Sequence, residues 1–206
     1  MSPVKRSPIA LAVLAMLTEA PMHPYRMQRL IKERGKDEVI NVTQRASLYQ
    51  TIQRLEREGL IAARQTLRDE GRPQRTVYEI TDAGRTTAIQ WLRDILATPA
   101  AEYPEFPAAI SFLPMLAPED ALRQLTSRIV AIEAELARID AGLQQAAAVP
   151  RLFLLEIEYL RVLQVTELNW VRGVAEDLRA GRLKWSAGWL RKIAAQFGFD
   201  PASDSE

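Results

Sequence analysis

From Thr43 to Leu55 the chain reads TQRASLYQTIQRL, a stretch with amides, hydroxyls and two arginines and no acid. Thr43, Gln44, Arg45, Ser47, Gln50, Thr51, Gln53 and Arg54 offer hydrogen-bond donors and acceptors on short or planar side chains. Such groups suit the edges of nucleic-acid bases, and arginine suits guanine or a phosphate. A helix face meant only for water usually mixes both signs. Here Glu56 and Glu58 arrive only at the far end, which implies an anionic partner. Leu48, Ile52 and Leu55 recur at i, i+4 and i+7, the inward stripe of a helix that turns the polar set outward. Tyr49 borders that stripe, so its hydroxyl is expected at a phosphate rather than a base.

A second basic group follows. Arg68, Arg72 and Arg75 surround Gly71 and Pro73, together with Asp69 and Glu70. The runs on either side, Leu60 to Leu67 and Thr76 to Ile80, are rich in β-branched and aromatic residues, so the segment reads as the turn of a two-stranded hairpin. Arginines at such a tip can neutralise phosphates and steepen the salt dependence of binding.

Three helical patterns precede this pair and one follows it. Ser7-Pro8 opens the first as N-cap and first helical residue, with Ile9, Leu11, Val13, Leu14 and Leu17 as its buried face. His23-Pro24 opens the second, and Gly35 ends it. The third is the acid-free helix, Thr43 to Glu58, ended by Gly59. Thr81 or Asp82 caps the fourth, which reaches Trp91, Leu92, Ile95 and Leu96. Helix, helix, helix, hairpin, helix is the order of a winged helix-turn-helix. The recognition helix and the hairpin tip are the expected DNA contacts, with Thr43, Arg45, Ser47, Tyr49, Gln50, Arg54, Arg72 and Arg75 as the candidate residues.

Other chemistry is poorly supplied. With no cysteine there is no disulfide, thiolate metal site or thiol nucleophile. The single histidine, His23, reads as a helix cap or surface residue. There is no carboxylate pair, phosphate-cradling glycine loop or nucleophile motif, and the Gly71-Arg-Pro turn precedes no helix. The expectation is of a non-enzyme with no cofactor and no metal. The apolar run Ile9 to Leu17 is too short to span a bilayer, so a cytoplasmic protein with no membrane contact is expected. Residues 1–97 hold 16 Lys and Arg against 11 Asp and Glu, whereas residues 98–206 hold 11 against 15. The basic half is the one with the candidate contacts.

The segment TPAAEYPEFP, residues 98–107, has three prolines in ten and divides the chain into an N-terminal domain, 1–97, and a C-terminal one, 108–206. The second half reads as helix. Leu122, Leu125, Ile129, Ile132, Leu136, Ile139 and Leu143 alternate spacings of three and four, the seam of a coiled coil or long bundle. From Arg151 to Ala180 apolar residues cover nearly the whole helix circumference, a pattern that requires neighbours on all sides. Asn169 and Glu156 interrupt it and are candidates for setting register. A partner subunit is the economical source of those neighbours, so Leu122, Leu125, Ile129, Ile132, Leu136 and Ile139 are the expected dimerisation residues. The architecture expected is mainly α with a small β-hairpin: a winged helix-turn-helix followed by a coiled-coil-like dimerisation domain. Two copies would read a pseudo-palindrome with half-sites about 10 bp apart or a multiple of that.

Ser47-Leu-Tyr49-Gln-Thr-Ile52-Gln-Arg-Leu55-Glu-Arg-Glu-Gly59-Leu-Ile61, then Gly71-Arg-Pro73, then Tyr78-Glu-Ile80-Thr-Asp82-Ala-Gly84-Arg85 resemble the PadR family of regulators. Phe106-Pro-Ala-Ala-Ile110-Ser-Phe-Leu113, followed by a long helix, resembles the C-terminal module of the longer members. Pro24 departs from the glycine often found there and is compatible with the same turn. The resemblance implies a homodimeric repressor of double-stranded DNA, joined through its C-terminal helices and released by an effector. A small aromatic or hydrophobic effector is expected, with Trp91 the candidate contact because an aromatic near this position lines a dimer cavity in some relatives. Trp170, Trp185 and Trp189 read as packing residues. The alternative is an interaction adaptor that uses the winged helix without DNA.

Overall fold

The computed structural model describes residues 5–42, 45–67 and 75–197, leaving aside the side chains of Arg45, Thr66, Leu67 and Arg75. The chain divides into two compact units, Met1–Ala101 and Glu102–Glu206. The first holds α1 (Pro8–Glu19), α2 (Pro24–Glu33), α3 (Arg45–Arg57), β1 (Ile61–Leu67), β2 (Arg75–Ile80) and α4 (Asp82–Ala97). The second holds α5 (Glu105–Ser111), α6 (Pro118–Gln145), α7 (Leu155–Arg179) and α8 (Ala187–Gln196). Among the described residues no helix is long and apolar enough to cross a membrane.

The helix starts of the first unit follow from their caps. Ser7 Oγ accepts from the Ala10 amide at 3.2 Å, and Pro8 takes the first helical position, where its missing N–H costs nothing. His23 acts in the same way on α2, its Nδ1 accepting from the Arg26 amide at 3.2 Å. One core then gathers Val13, Leu14 and Leu17 of α1, Met27 and Ile31 of α2, Leu48, Ile52 and Leu55 of α3, and Ile61 and Ile80 of the hairpin. The side-chain amide of Gln28 donates to the Val42 carbonyl at 3.1 Å and so fixes the chain where it turns toward α3.

β1 and β2 pair antiparallel from Ile61–Ile80 outward, with a bulge between Ala63 and Gln65. The other edge of β2 is held too. Met22 and Tyr78 exchange both backbone hydrogen bonds, at 3.0 and 3.1 Å, which ties the segment before α2 to the hairpin.

The tightest junction lies where α3 hands over to β1. Gly59 takes φ 71°, a left-handed position that suits glycine as a helix stop. The Thr81 hydroxyl lies 2.8 Å from the Gly59 carbonyl and 3.0 Å from that of Leu60, and it caps α4 by accepting from the Gly84 amide at 3.0 Å. The Thr81 amide also donates to the Leu60 carbonyl at 3.1 Å. A Cβ on Gly84 would stand 2.0 Å from that oxygen and 2.9 Å from Ile80 Cγ1. Only a residue without a side chain fits there.

The second unit is built on an antiparallel pair. α6 and α7 are joined through residues 146–154, and Thr126 reaches Arg179 near one end while Asp140 pairs with Arg161 near the other. Arg128–Glu167 and Glu133–Arg172 bridge the middle. Leu125, Ile132 and Ile139 are buried on α6, and Leu168, Val171 and Ala175 on α7.

Half of the heptad seam expected to meet a second subunit is thus buried within one chain, leaving Leu122, Ile129 and Leu136 half-buried. A heptad states that a helix packs against it and does not state whose. α7, returning after a short connection, occupies that place. What one chain leaves uncovered is the other side of α7, where Leu155, Tyr159, Val162, Leu163 and Trp170 are exposed. Asn169 is exposed as well.

The proline-rich segment is shorter than the sequence suggests. α5 begins at Glu105, with Pro104 as its cap and Pro107 inside its first turn, where the absence of an amide is harmless. Phe106 stands edge-on to Trp170 at 6.2 Å, and the Arg128 guanidinium lies 3.5 Å above its ring. The Trp185 indole donates to the Leu116 carbonyl at 2.8 Å, holding the segment before α8 to the one before α6.

Two glycine substitutions separate close packing from mere helix propensity. Gly84→Ala should lower stability by about 1–3 kcal/mol through overpacking. Gly142→Ala, on the exposed face of α6 with nothing within 4 Å, should raise it by up to about 1 kcal/mol. Thermal and urea unfolding of the two variants measure both; a neutral Gly84→Ala would contradict the junction described.

Candidate nucleic-acid interface

The exposed side of α3 is a single line. Ala46, Gln50, Gln53 and Arg57 are exposed and recur at spacings of four, three and four, so they project from one face of the helix. Leu48, Ile52 and Leu55 are buried on the opposite side. Arg57, not among the candidates taken from the sequence, continues the line of Gln50 and Gln53 by one turn. Its position follows from helical periodicity alone, but it lies beyond Glu56, where the acid-free stretch ends.

Each flank of that line is occupied differently. Tyr49 and Glu56 are seven residues apart and share the flank facing the hairpin. There the Glu56 carboxylate lies beside the Tyr78 hydroxyl of β2. Burial, the first cause, and the negative charge of Glu56 both push the Tyr78 hydroxyl above its usual range, so it stays a neutral donor. The acid that interrupts the basic stretch in sequence is therefore turned sideways, onto the wing. Tyr49 is about half exposed on the same flank.

Ser47 and Arg54, also seven apart, share the other flank, and both are half-buried. Arg54 Nη1 donates to the Lys5 backbone carbonyl at 2.7 Å. Thr51, expected among the polar residues presented outward, is buried and donates its hydroxyl to the Ser47 carbonyl at 2.8 Å. It is a small residue of the inward half whose hydroxyl is satisfied by its own helix.

Arg45 and Arg75 are the first residues of α3 and β2. Thr43 and Arg72, with the rest of the hairpin tip, lie outside the described residues. The structure thus brings Tyr49, Gln50 and the flanking Ser47 and Arg54 onto one helix beside the hairpin.

Trp91 has a different setting from the one expected. Its ring is 8% exposed and belongs to the core of the first unit with Ala10, Val13 and Ala88. At the period of α4 it falls on the inward face, which the core accounts for without a ligand. An open volume lies in the second unit: a cavity of about 420 Å³ lined by residues that include Phe106, Ala109, Ile110, Leu113, Gln124 and Arg128. Aromatic and aliphatic walls with one amide and one guanidinium suit a small, mostly apolar molecule. Sequence periodicity gave no signal for it, because it forms where a short helix meets the first turns of α6.

Residues 13–90 match the Transcriptional regulator PadR-like family. Bacillus subtilis PadR in complex with operator DNA superposes with a TM-score of 0.68 at 17% identity, over 84% of this chain and 99% of that one. The same protein in complex with p-coumaric acid gives 0.68 at 18%, over 83% and 98%. The Vibrio cholerae virulence activator AphA gives 0.63 at 18%, over 84% and 98%. No curated protein matches the sequence. Residues 13–90 therefore form a PadR-like family domain, and over most of its length the chain has the fold of PadR-family transcriptional regulators.

Proposed function

We propose that this protein is a homodimeric, DNA-binding transcriptional repressor that lays α3 in the major groove of a pseudo-palindromic operator and is released by a small aromatic or hydrophobic effector. The observation that carries the DNA reading is the outward line of α3. Gln50, Gln53 and Arg57 project together with no acid among them, because Glu56 falls on the flank beside Tyr78. Amides and arginine in that position can read base edges. Thr43, Arg45, Ser47 and Tyr49 are assigned to the groove and its flanking phosphates, and Arg72 and Arg75 to the wing contact. The complex of B. subtilis PadR with operator DNA supports this reading by analogy of fold.

Dimerisation is assigned to the second unit, with the face revised. Since α7 takes up much of the α6 seam, the surface left for a second copy is centred on Leu155, Tyr159, Val162 and Trp170, with Leu122, Ile129 and Leu136 contributing from α6. Spacings of four and three from Leu155 through Tyr159 to Val162 make that surface a helix-packing stripe of its own. The effector is assigned to the cavity beside Phe106 rather than to Trp91, and the p-coumaric acid complex of B. subtilis PadR supports an aromatic acid as the first probe.

Three measurements test these assignments. Affinity for duplex DNA should fall steeply with salt, and Arg57→Ala should weaken binding about ten-fold with an unchanged circular dichroism spectrum. Binding that is absent at every salt concentration would favour the adaptor reading instead. Val162→Asp should convert a dimer to a monomer by sedimentation; a dimer that survives it would return the interface to α6. p-Coumaric acid should release the wild-type DNA complex, and Ala109→Phe, which fills the cavity, should abolish release while leaving DNA affinity intact. Release that persists in this variant would place the effector elsewhere.

A further inference from the structure

The hydrogen bond from Arg54 to the Lys5 carbonyl joins residues 49 positions apart, and it gives the N-terminal segment a fixed place beside α3. The next anchor follows at once: Ser7 caps α1 through its side chain, and its carbonyl accepts from the Leu11 amide at 3.0 Å. Lys5 and Arg6 are thus held between two anchors. Both are exposed, and neither forms an ion pair among the described residues. The partner of Arg54 here is a neutral carbonyl rather than an acid. Glu58, four residues further along the chain from Arg54, has its Oε2 buried away from solvent.

The placement matters because of what lies on the other side. The wing meets α3 along the Tyr49–Glu56 flank, while the N-terminal segment meets it along the Ser47–Arg54 flank. A helix lying in the major groove is bordered by two phosphate backbones, one on each side. Wing arginines account for one border, and nothing assigned so far accounts for the other.

We propose that Lys5 and Arg6 form a third DNA-contacting element, gripping the phosphate backbone on the flank of α3 opposite the wing, and that Arg54 is the positioning residue that holds them there. This rests on the DNA-binding reading of α3. Lys5 and Arg6 supply point charge and a planar fork, the two side chains that neutralise phosphates without reading sequence. A segment already pinned in place loses less conformational freedom on binding than a loose tail would. The element therefore adds affinity and leaves sequence preference unchanged.

The test uses the full chain and a mixed-sequence duplex of about 30 bp as the probe, titrated over a range of salt concentrations. Truncating Lys5 and Arg6 leaves the brace intact, since Arg54 holds a main-chain oxygen. Lys5→Ala/Arg6→Ala should reduce the log–log salt slope by about 1.8 per bound protomer, so that its loss of affinity grows about sixty-fold from 1 M to 0.1 M salt, with unchanged melting temperature. Arg54→Ala should lower the slope as well, although both other charges remain, and Arg54→Lys should restore it.

A slope unchanged in the double variant, with wild-type binding normal, overturns the proposal while leaving the reading of α3 in place. A slope that falls in the double variant but not in Arg54→Ala removes the positioning role. Wild-type protein that shows no salt-dependent binding overturns both readings together.

Discussion

The Leu60 carbonyl is the point on which the first unit turns. It lies between the end of α3 and the start of β1, accepts from the Thr81 amide and lies within reach of the Thr81 hydroxyl. Because Gly84 has no side chain, α4 comes down directly onto this oxygen. A buried carbonyl without such partners would cost about 1–3 kcal/mol, and here the same partners also fix the angle between helix and hairpin. Everything with a proposed role in recognition is measured from that angle. The line of Gln50, Gln53 and Arg57 depends on the rotation of α3, and the wing depends on where β1 leaves it.

The phrase Tyr78-Glu-Ile80-Thr-Asp-Ala-Gly84 therefore has a physical meaning at four of its seven positions. Tyr78 pairs its backbone with Met22 and sets its hydroxyl beside Glu56; Ile80 is buried; Thr81 caps and bridges; Gly84 yields space. One consequence bears on electrostatics. Glu56 would otherwise place a negative charge beside the outward face, and its engagement with β2 directs it away. The surface charge of α3 is thus set partly by a residue of the hairpin.

Local signals in the sequence were enough for the helix starts at Ser7 and His23, the stop at Gly59, the hairpin, and the inward stripe of α3, because each is decided within a few residues. Contacts between distant segments were not legible. Nothing near Arg54 indicates that its partner is Lys5, and nothing in α4 alone separates a core tryptophan from one that lines a ligand site. Thr51 was read as outward because its type is polar, whereas its hydroxyl is satisfied by Ser47. The heptad of α6 was legible as a packing seam, but the choice between α7 and a second copy depends on how the chain returns. Pro107 reads by type as a linker residue but is a first-turn helix residue, since proline marks both situations equally well.

The return of α7 along α6 has a kinetic side. Partners such as Asp140 and Arg161 are 21 residues apart, and pairing that is local in sequence forms early in folding. The helical hairpin can therefore close before any second chain arrives, driven by Leu125, Ile132 and Ile139 against Leu168, Val171 and Ala175. Closing it presents the apolar stripe of α7 to solvent in finished form. Assembly of the proposed dimer would then be a second-order encounter between preshaped surfaces, with a rate set by how many newly folded chains share the same volume. In the proposed dimer, the sticky species before that encounter would be a well-folded monomer rather than an unfolded one, and dilution would prolong its life.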